Sequence, residues 1–325
     1  MPNMRFIDHP QPAARSLYDE AAQGIIDRNK HLLGLKSIVQ FGNITTPGIS
    51  DIDLLFVFKN GQECLATGLE NLPEVHRNLF THGIMAISEN QYTDNEYYTI
   101  WSEHHLVWGE NPSNQEQKRS HEDETILKIQ TAVEFLIANF IDIKIQKEYQ
   151  IVKLRALLQH MKGILYDLEY LNDSHSILHP HLIDLKEIIR NWFEAIPSEK
   201  KLIEWFFSFE KLYDKYVDQV LLKHPMYLPS RDVLPISKNM ILKNDSHVNF
   251  KRNGILLPTF LSFAGRSYVK LQHRFNQFTI SCPLTHQAAP IVKERFEFLV
   301  RMKEYNRQYL PNFMTITTSI TAKLI

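Results

Sequence analysis

Apolar residues recur at gaps of three and four through Ile126, Ile129, Val133, Leu136, Phe140 and Ile143. That spacing stripes one face of an α-helix. The same period returns from Ile151 to Leu168, through Leu185, Ile188 and Trp192, and from Leu202 to Val220. Asn172-Asp173-Ser174 and Pro197-Ser198 punctuate it. Residues from about 120 to 222 therefore read as four helices, most simply packed antiparallel. Ser120 and Asp123 at their head fit a capping box, in which the hydroxyl caps a free amide and the acid reaches back.

Ahead of this block the pattern is mixed. A helix is expected over Ala13–Leu33, then apolar runs at Ser37–Phe41 and Ile52–Phe58, the second closed by an Asn60-Gly61 turn. A helix over Glu63–Phe80 and short strands at Ile84–Ile87 and Leu106–Trp108 follow. Strands alternating with helices point to a small α/β unit. Beyond residue 225, seven prolines from Pro225 to Pro311 interrupt the chain. Met240–Leu242, Val248–Phe250 and Ile255–Phe263 are short strands or loops, and Ile291–Tyr309 is helical. The expected fold class is α+β. A small mixed-sheet domain fills 1–115, and a larger, mainly helical domain fills 116–325, with an irregular Pro-rich segment over 225–290.

Composition narrows the function classes. At 325 residues with 44% apolar and 22% charged, the chain can bury about two domains. Lys and Arg number 36 against 37 Asp and Glu, so no bulk positive field grips nucleic acid. Two distant cysteines, Cys64 and Cys282, build neither a disulfide framework nor a paired-cysteine zinc site. They read as small apolar residues, and a cytoplasmic setting is expected. Residues 1–12 hold no apolar leader, and the longest uncharged stretch, Phe275–Val292, is too polar to span a bilayer. No membrane partner is expected.

One segment carries chemistry: Phe41-Gly42-Asn43, a short loop, then Gly48-Ile49-Ser50-Asp51-Ile52-Asp53 running into an apolar strand. Residues two apart on a strand face the same way, about 6.5–7 Å apart at Cα. Asp51 and Asp53 so placed can share hard cations such as Mg²⁺, which takes oxygen ligands and typically adds phosphate oxygens. Gly42 lets the backbone approach a ligand closely, and exposed amides in such a loop suit phosphate.

At these residues the chain resembles the nucleotidyltransferase-fold superfamily, which includes DNA polymerase beta and the aminoglycoside nucleotidyltransferases. The resemblance covers roughly residues 30 to 110. It implies that Asp51 and Asp53 bind two Mg²⁺ ions, which clamp an NTP as pyrophosphate leaves. Gly42, Asn43 and Ser50 would lie at the phosphates. The implied reaction moves a nucleoside monophosphate to a hydroxyl acceptor. By the same resemblance, and given the near-neutral charge, the acceptor is a small molecule or sugar rather than nucleic acid. An RNA-directed enzyme is the further alternative.

The chain departs from the family pattern in three places. Asn43 replaces a serine, though its amide can still donate to phosphate. The loop to Gly48 is short. The third carboxylate, which completes the metal site or acts as base, is absent from Ile84–Ile87. Glu89, just past that strand, is the substitute, with Asp94 and Glu96 behind it. Losing a general base typically costs 10²–10⁴-fold. The same departures fit a catalytically inactive relative that serves as a nucleotide-binding or scaffold module.

Other residues read more plainly. His175, His179 and His181 could bind zinc, but Pro180 breaks the helix that would align them, so an interhelical loop is expected. One of His104 and His105 could line the cleft. Lys251, Arg252, Arg266 or Lys270 could supply positive charge. Trp192, Trp205, Phe206 and Phe207 are expected to be core.

Overall fold

The computed structural model describes residues 4–100, 103–112, 118–229, 232–318 and 320–324. The chain opens with β1 (Arg5–Ile7), α1 (Arg15–Asn29), β2 (Leu35–Phe41) and β3 (Asp53–Phe58). Next come α2 (Glu74–Arg77), β4 (Met85–Ser88), α3 (Glu89–Tyr98) and β5 (His104–Gly109). α4 (His121–Tyr149), β6 (Ile151–Lys153), α5 (Leu154–Tyr170), α6 (His179–Arg190) and α7 (Glu199–Lys223) follow. The remainder is β7 (Met226–Tyr227), β8 (Val233–Ser237), β9 (Met240–Asn244), β10 (Asn249–Gly254), α8 (Arg266–Phe275), β11 (Asn276–Cys282), β12 (Leu284–Thr285), α9 (Pro290–Tyr309) and α10 (Thr321–Leu324). The fold class is α+β, as expected.

Two compact units emerge. One joins Gln11–Leu127 to Pro290–Thr317; the other holds Lys128–Ala289 with residues 4–10, 318 and 320–324. Its members thus differ from the expected division at 115, a position outside the described residues. Packing explains the difference. After Asp53 β3 is apolar, so its side chains must be covered on both faces. Leu54, Phe56 and Phe58 pack on one side with Tyr18, Ala21 and Ile25 of α1. Leu55 and Val57 pack on the other with Tyr92 of α3 and Phe298, Leu299 and Met302 of α9. The C-terminal helix is the second cover of the N-terminal sheet.

That sheet has the order β4-β3-β2-β5. β2 pairs antiparallel with β3 and β5, while β4 runs parallel to β3. The end of β2 and the starts of β3, β4 and β5 therefore share one edge, with Phe41 opposite both Asp53 and His104. The helix expected over 63–80 is not there. Gly68 adopts φ 81° and Pro73 follows, leaving a short 3₁₀ turn at Leu69–Asn71 and the single turn of α2.

The other unit contains the helical block. Ser120, just before α4, accepts from the Asp123 amide at 3.0 Å, while the Asp123 carboxylate accepts from the Ser120 hydroxyl. Residues 225–290 are more ordered than their prolines imply. They form a four-stranded sheet, β10-β11-β9-β8, in which β11 alternates buried and less buried positions. Trp192, Trp205 and Phe206 are core residues.

Candidate metal centre

The loop from β2 to β3 is held from below by α1. Tyr18, almost wholly buried, donates its hydroxyl to the Ser50 carbonyl and accepts from the Gly48 amide, both at 2.8 Å. Arg15 Nη1 bonds the Ile44 carbonyl at 2.8 Å. Ile44, Ile49 and Ile52 are buried and anchor the loop by burial. Gly48 has φ 88° and Gly42 φ 63°, conformations that a side chain would strain. A Cβ added at Gly42 would meet nothing within 4 Å, so the space over this turn is open.

This loop delivers Asp51 just ahead of β3 and Asp53 as its first residue. A third group joins them from the approach to β4. Ligand atoms of Asp51, Asp53 and His82 all lie within 4.8 Å of one another. His82 Nε2 is 2.5 Å from Asp53 Oδ1, and its Nδ1 is 2.7 Å from the Gly83 carbonyl. Thr81 donates its hydroxyl to Asp51 Oδ2. Asp53 Oδ1 is buried against the His82 ring nitrogen as an ion pair. The Asp53 carboxylate is the main reason the His82 pKa is pushed up to about 9, against the opposing effect of burial.

The donor set suits a divalent cation. Two carboxylate oxygens are ligands for Mg²⁺ or Mn²⁺, and the imidazole widens the choice toward Mn²⁺ and Zn²⁺.

Glu89 does not belong here, which corrects the expectation from sequence. It begins α3 immediately after β4, and β4 runs parallel to β3 with Ser88 beside Phe58. Asp53 is at the opposite end of β3, about 16 Å away at the usual rise per residue. Glu89 instead pairs with Lys36 at 2.6 Å. Glu89→Gln is expected to leave the Asp51, Asp53 and His82 group unperturbed. It should cost at most ~1 kcal/mol of stability in urea titration, because the pair is partly solvated.

Gly42, Asn43 and Ser50 make hydrogen bonds within the protein. The Gly42 amide bonds the Glu103 carbonyl at 2.7 Å. The Asn43 side-chain amide bonds the Glu103 carboxylate. Ser50 Oγ accepts from the Thr46 amide at 3.1 Å. Of the alternative acids, Glu96 lies 4.0 Å from His104, at the start of β5. Arg252 and Arg266 pair with Glu148 and Asp8.

Among the described residues, the Asp51, Asp53 and His82 group is the one cluster of metal-ligating side chains; His175, His179 and His181 form none. His82 was not legible as a ligand. It is a single histidine in a polar turn, and only the parallel register of β4 on β3 brings it to Asp53. No protein-family model, curated protein or solved structure matches this chain.

Proposed function

We propose that Asp51, Asp53 and His82 hold a divalent metal and that the sheet unit is a nucleotidyltransferase. It moves a nucleoside monophosphate from an NTP to a hydroxyl of a small molecule or sugar. The convergence of three ligand atoms at the end of the Gly48–Asp53 segment carries this reading. A bound Mg²⁺ or Mn²⁺ supplies charge stabilisation at a triphosphate and at the leaving pyrophosphate. The protein's part is to orient. Thr81 restrains the Asp51 carboxylate, Tyr18 fixes the loop that presents both acids, and Gly42 leaves room for a ligand.

A second reading, a nucleotide-binding module without turnover, draws on the same triad. Its third member is an imidazole, and no third carboxylate joins the group among the described residues.

Calorimetry with each NTP, with and without Mg²⁺ or Mn²⁺, tests the site. Metal-dependent binding is expected, and Asp51→Asn/Asp53→Asn should abolish it. A folded protein that binds no NTP in either metal overturns both readings. Binding without transfer to hydroxyl acceptors, small molecules and RNA included, selects the second.

A further inference from the structure

From Ser246 to Ala289 the chain has no Asp or Glu, yet it carries Lys251, Arg252, Arg266, Lys270 and Arg274. In a chain with balanced charge this is a local excess. Arg252 and Arg266 are neutralised by Glu148 and Asp8, at 2.8 and 2.9 Å. Lys251, Lys270 and Arg274 are exposed and have no carboxylate partner among the described residues.

The same segment exposes large apolar side chains. Phe260 is 72% and Phe263 68% exposed, and Ile255, Leu256, Leu271 and Phe275 are exposed too. Phe260 and Phe263 lie three apart in a 3₁₀ turn, Thr259–Ala264, a spacing that puts them on one face. This turn leads through Gly265 into α8. Tyr268 and Gln272 form the buried face of α8, and both bond the Leu257 carbonyl. The other face presents Lys270 with Arg274 and Leu271 with Phe275, each pair four apart and adjacent on the helix. The Ile255 amide bonds the Phe275 carbonyl at 3.2 Å, so Ile255 adjoins the end of that face. The turn with Phe260 and Phe263, Ile255 and the exposed face of α8 thus bring apolar side chains together with the cations Lys270 and Arg274, whereas Lys251 alternates with Phe250 and Arg252 on β10 and faces the other side of that strand.

Charge and shape together select the partner. The cations call for a polyanion. The aliphatic Ile255, Leu256 and Leu271 cannot stack on bases as aromatic platforms do, whereas aliphatic and phenyl side chains both enter the boundary between headgroups and acyl chains. We propose that this face docks on an anionic lipid surface. Phe260 and Phe263 insert, while Lys270 and Arg274 meet the headgroups. This departs from the expectation of no membrane partner, which concerned spanning segments. No helix among the described residues is long and apolar enough to cross a membrane, and an interfacial helix need not be.

Co-sedimentation of the full chain with vesicles tests the proposal. Each cation near an anionic surface is worth roughly fivefold. Two should favour phosphatidylserine-containing vesicles over phosphatidylcholine alone by roughly 25-fold, weakening with salt. Phe260→Ser/Phe263→Ser and Lys270→Glu/Arg274→Glu change exposed positions, so both variants should stay folded, as circular dichroism would verify. Each should lose at least about tenfold in vesicle binding. Absence of binding, equal binding to both vesicle types, or binding unchanged in both variants overturns the proposal. So does retention of single-stranded RNA without vesicle binding, which would reassign the face to nucleic acid. Concentration-dependent self-association lost in the variants, again without vesicle binding, would reassign it to a second copy.

Discussion

Asp53→Asn should lower nucleotidyl transfer by about 10²–10³-fold at saturating metal. A ligated ion contributes several kcal/mol of charge stabilisation, and each 1.36 kcal/mol is tenfold in rate. Asn keeps the shape but removes the charge, so the fold should survive. His82 gives a readout independent of activity. In the metal-free parent it should hold its proton to about pH 9, mainly through the Asp53 carboxylate. In the variant its NMR titration should move back toward the ordinary histidine range. Because the folded pKa is the higher one, the His82 contribution to metal-free stability is complete below the unfolded value of 6.5. It is lost as pH rises through about 9, and the variant should lack that window. Full turnover in Asp53→Asn, with the His82 titration shifted, would place the chemistry elsewhere.

The legible parts of this protein are those written in local pattern. The runs at 37–41, 52–58, 84–87 and 106–108 are β2 to β5 within a few residues; β2, β3 and β4 are buried strands and so apolar runs, while β5, more exposed, shows only the short run Leu106–Trp108. The helix of the sheet unit that escaped notice is α3, Glu89–Tyr98, a polar stretch in which only Tyr92 and Asn95 are buried. A helix with so little apolar periodicity is selected by its neighbours rather than by its own pattern. The placement of α9 against β3 depends on a contact between distant parts of the chain, which no local period encodes. Asp51 and Asp53 were readable because two acids flanked by a glycine turn and an apolar strand make a local signature. Their third partner is expected at Glu89 because that residue is close to β4 in sequence. Strand direction decides otherwise: the residues before β4 meet the acids, and those after it lie at the far edge.

In the other unit, Glu210→Ala should destabilise the chain by about 3 kcal/mol in urea titrations at neutral pH. Glu210 is 3% exposed on α7, where its carboxylate takes Lys144 and, at 2.7 Å, Lys147, both from α4. Removing one member of a buried ion pair strands the other in a poorly solvated site, which typically costs 3–5 kcal/mol. The low end applies because Lys144 keeps Asp214. Burial pushes the Glu210 pKa up, and the two lysines more than reverse this, leaving it below its ordinary value. A depressed folded pKa means stability that is present above the unfolded value of 4.5 and lost as pH falls through the lower, folded one. Asp214 has the opposite sign, since burial raises its pKa despite Lys144. Asp214→Asn should therefore cost less than Glu210→Ala, and the gap between parent and Glu210→Ala should close as pH falls below 4.5 and through the lower, folded value. Equal losses from the two substitutions, or a Glu210→Ala deficit that persists in acid, would mean that Glu210 acts through packing rather than charge.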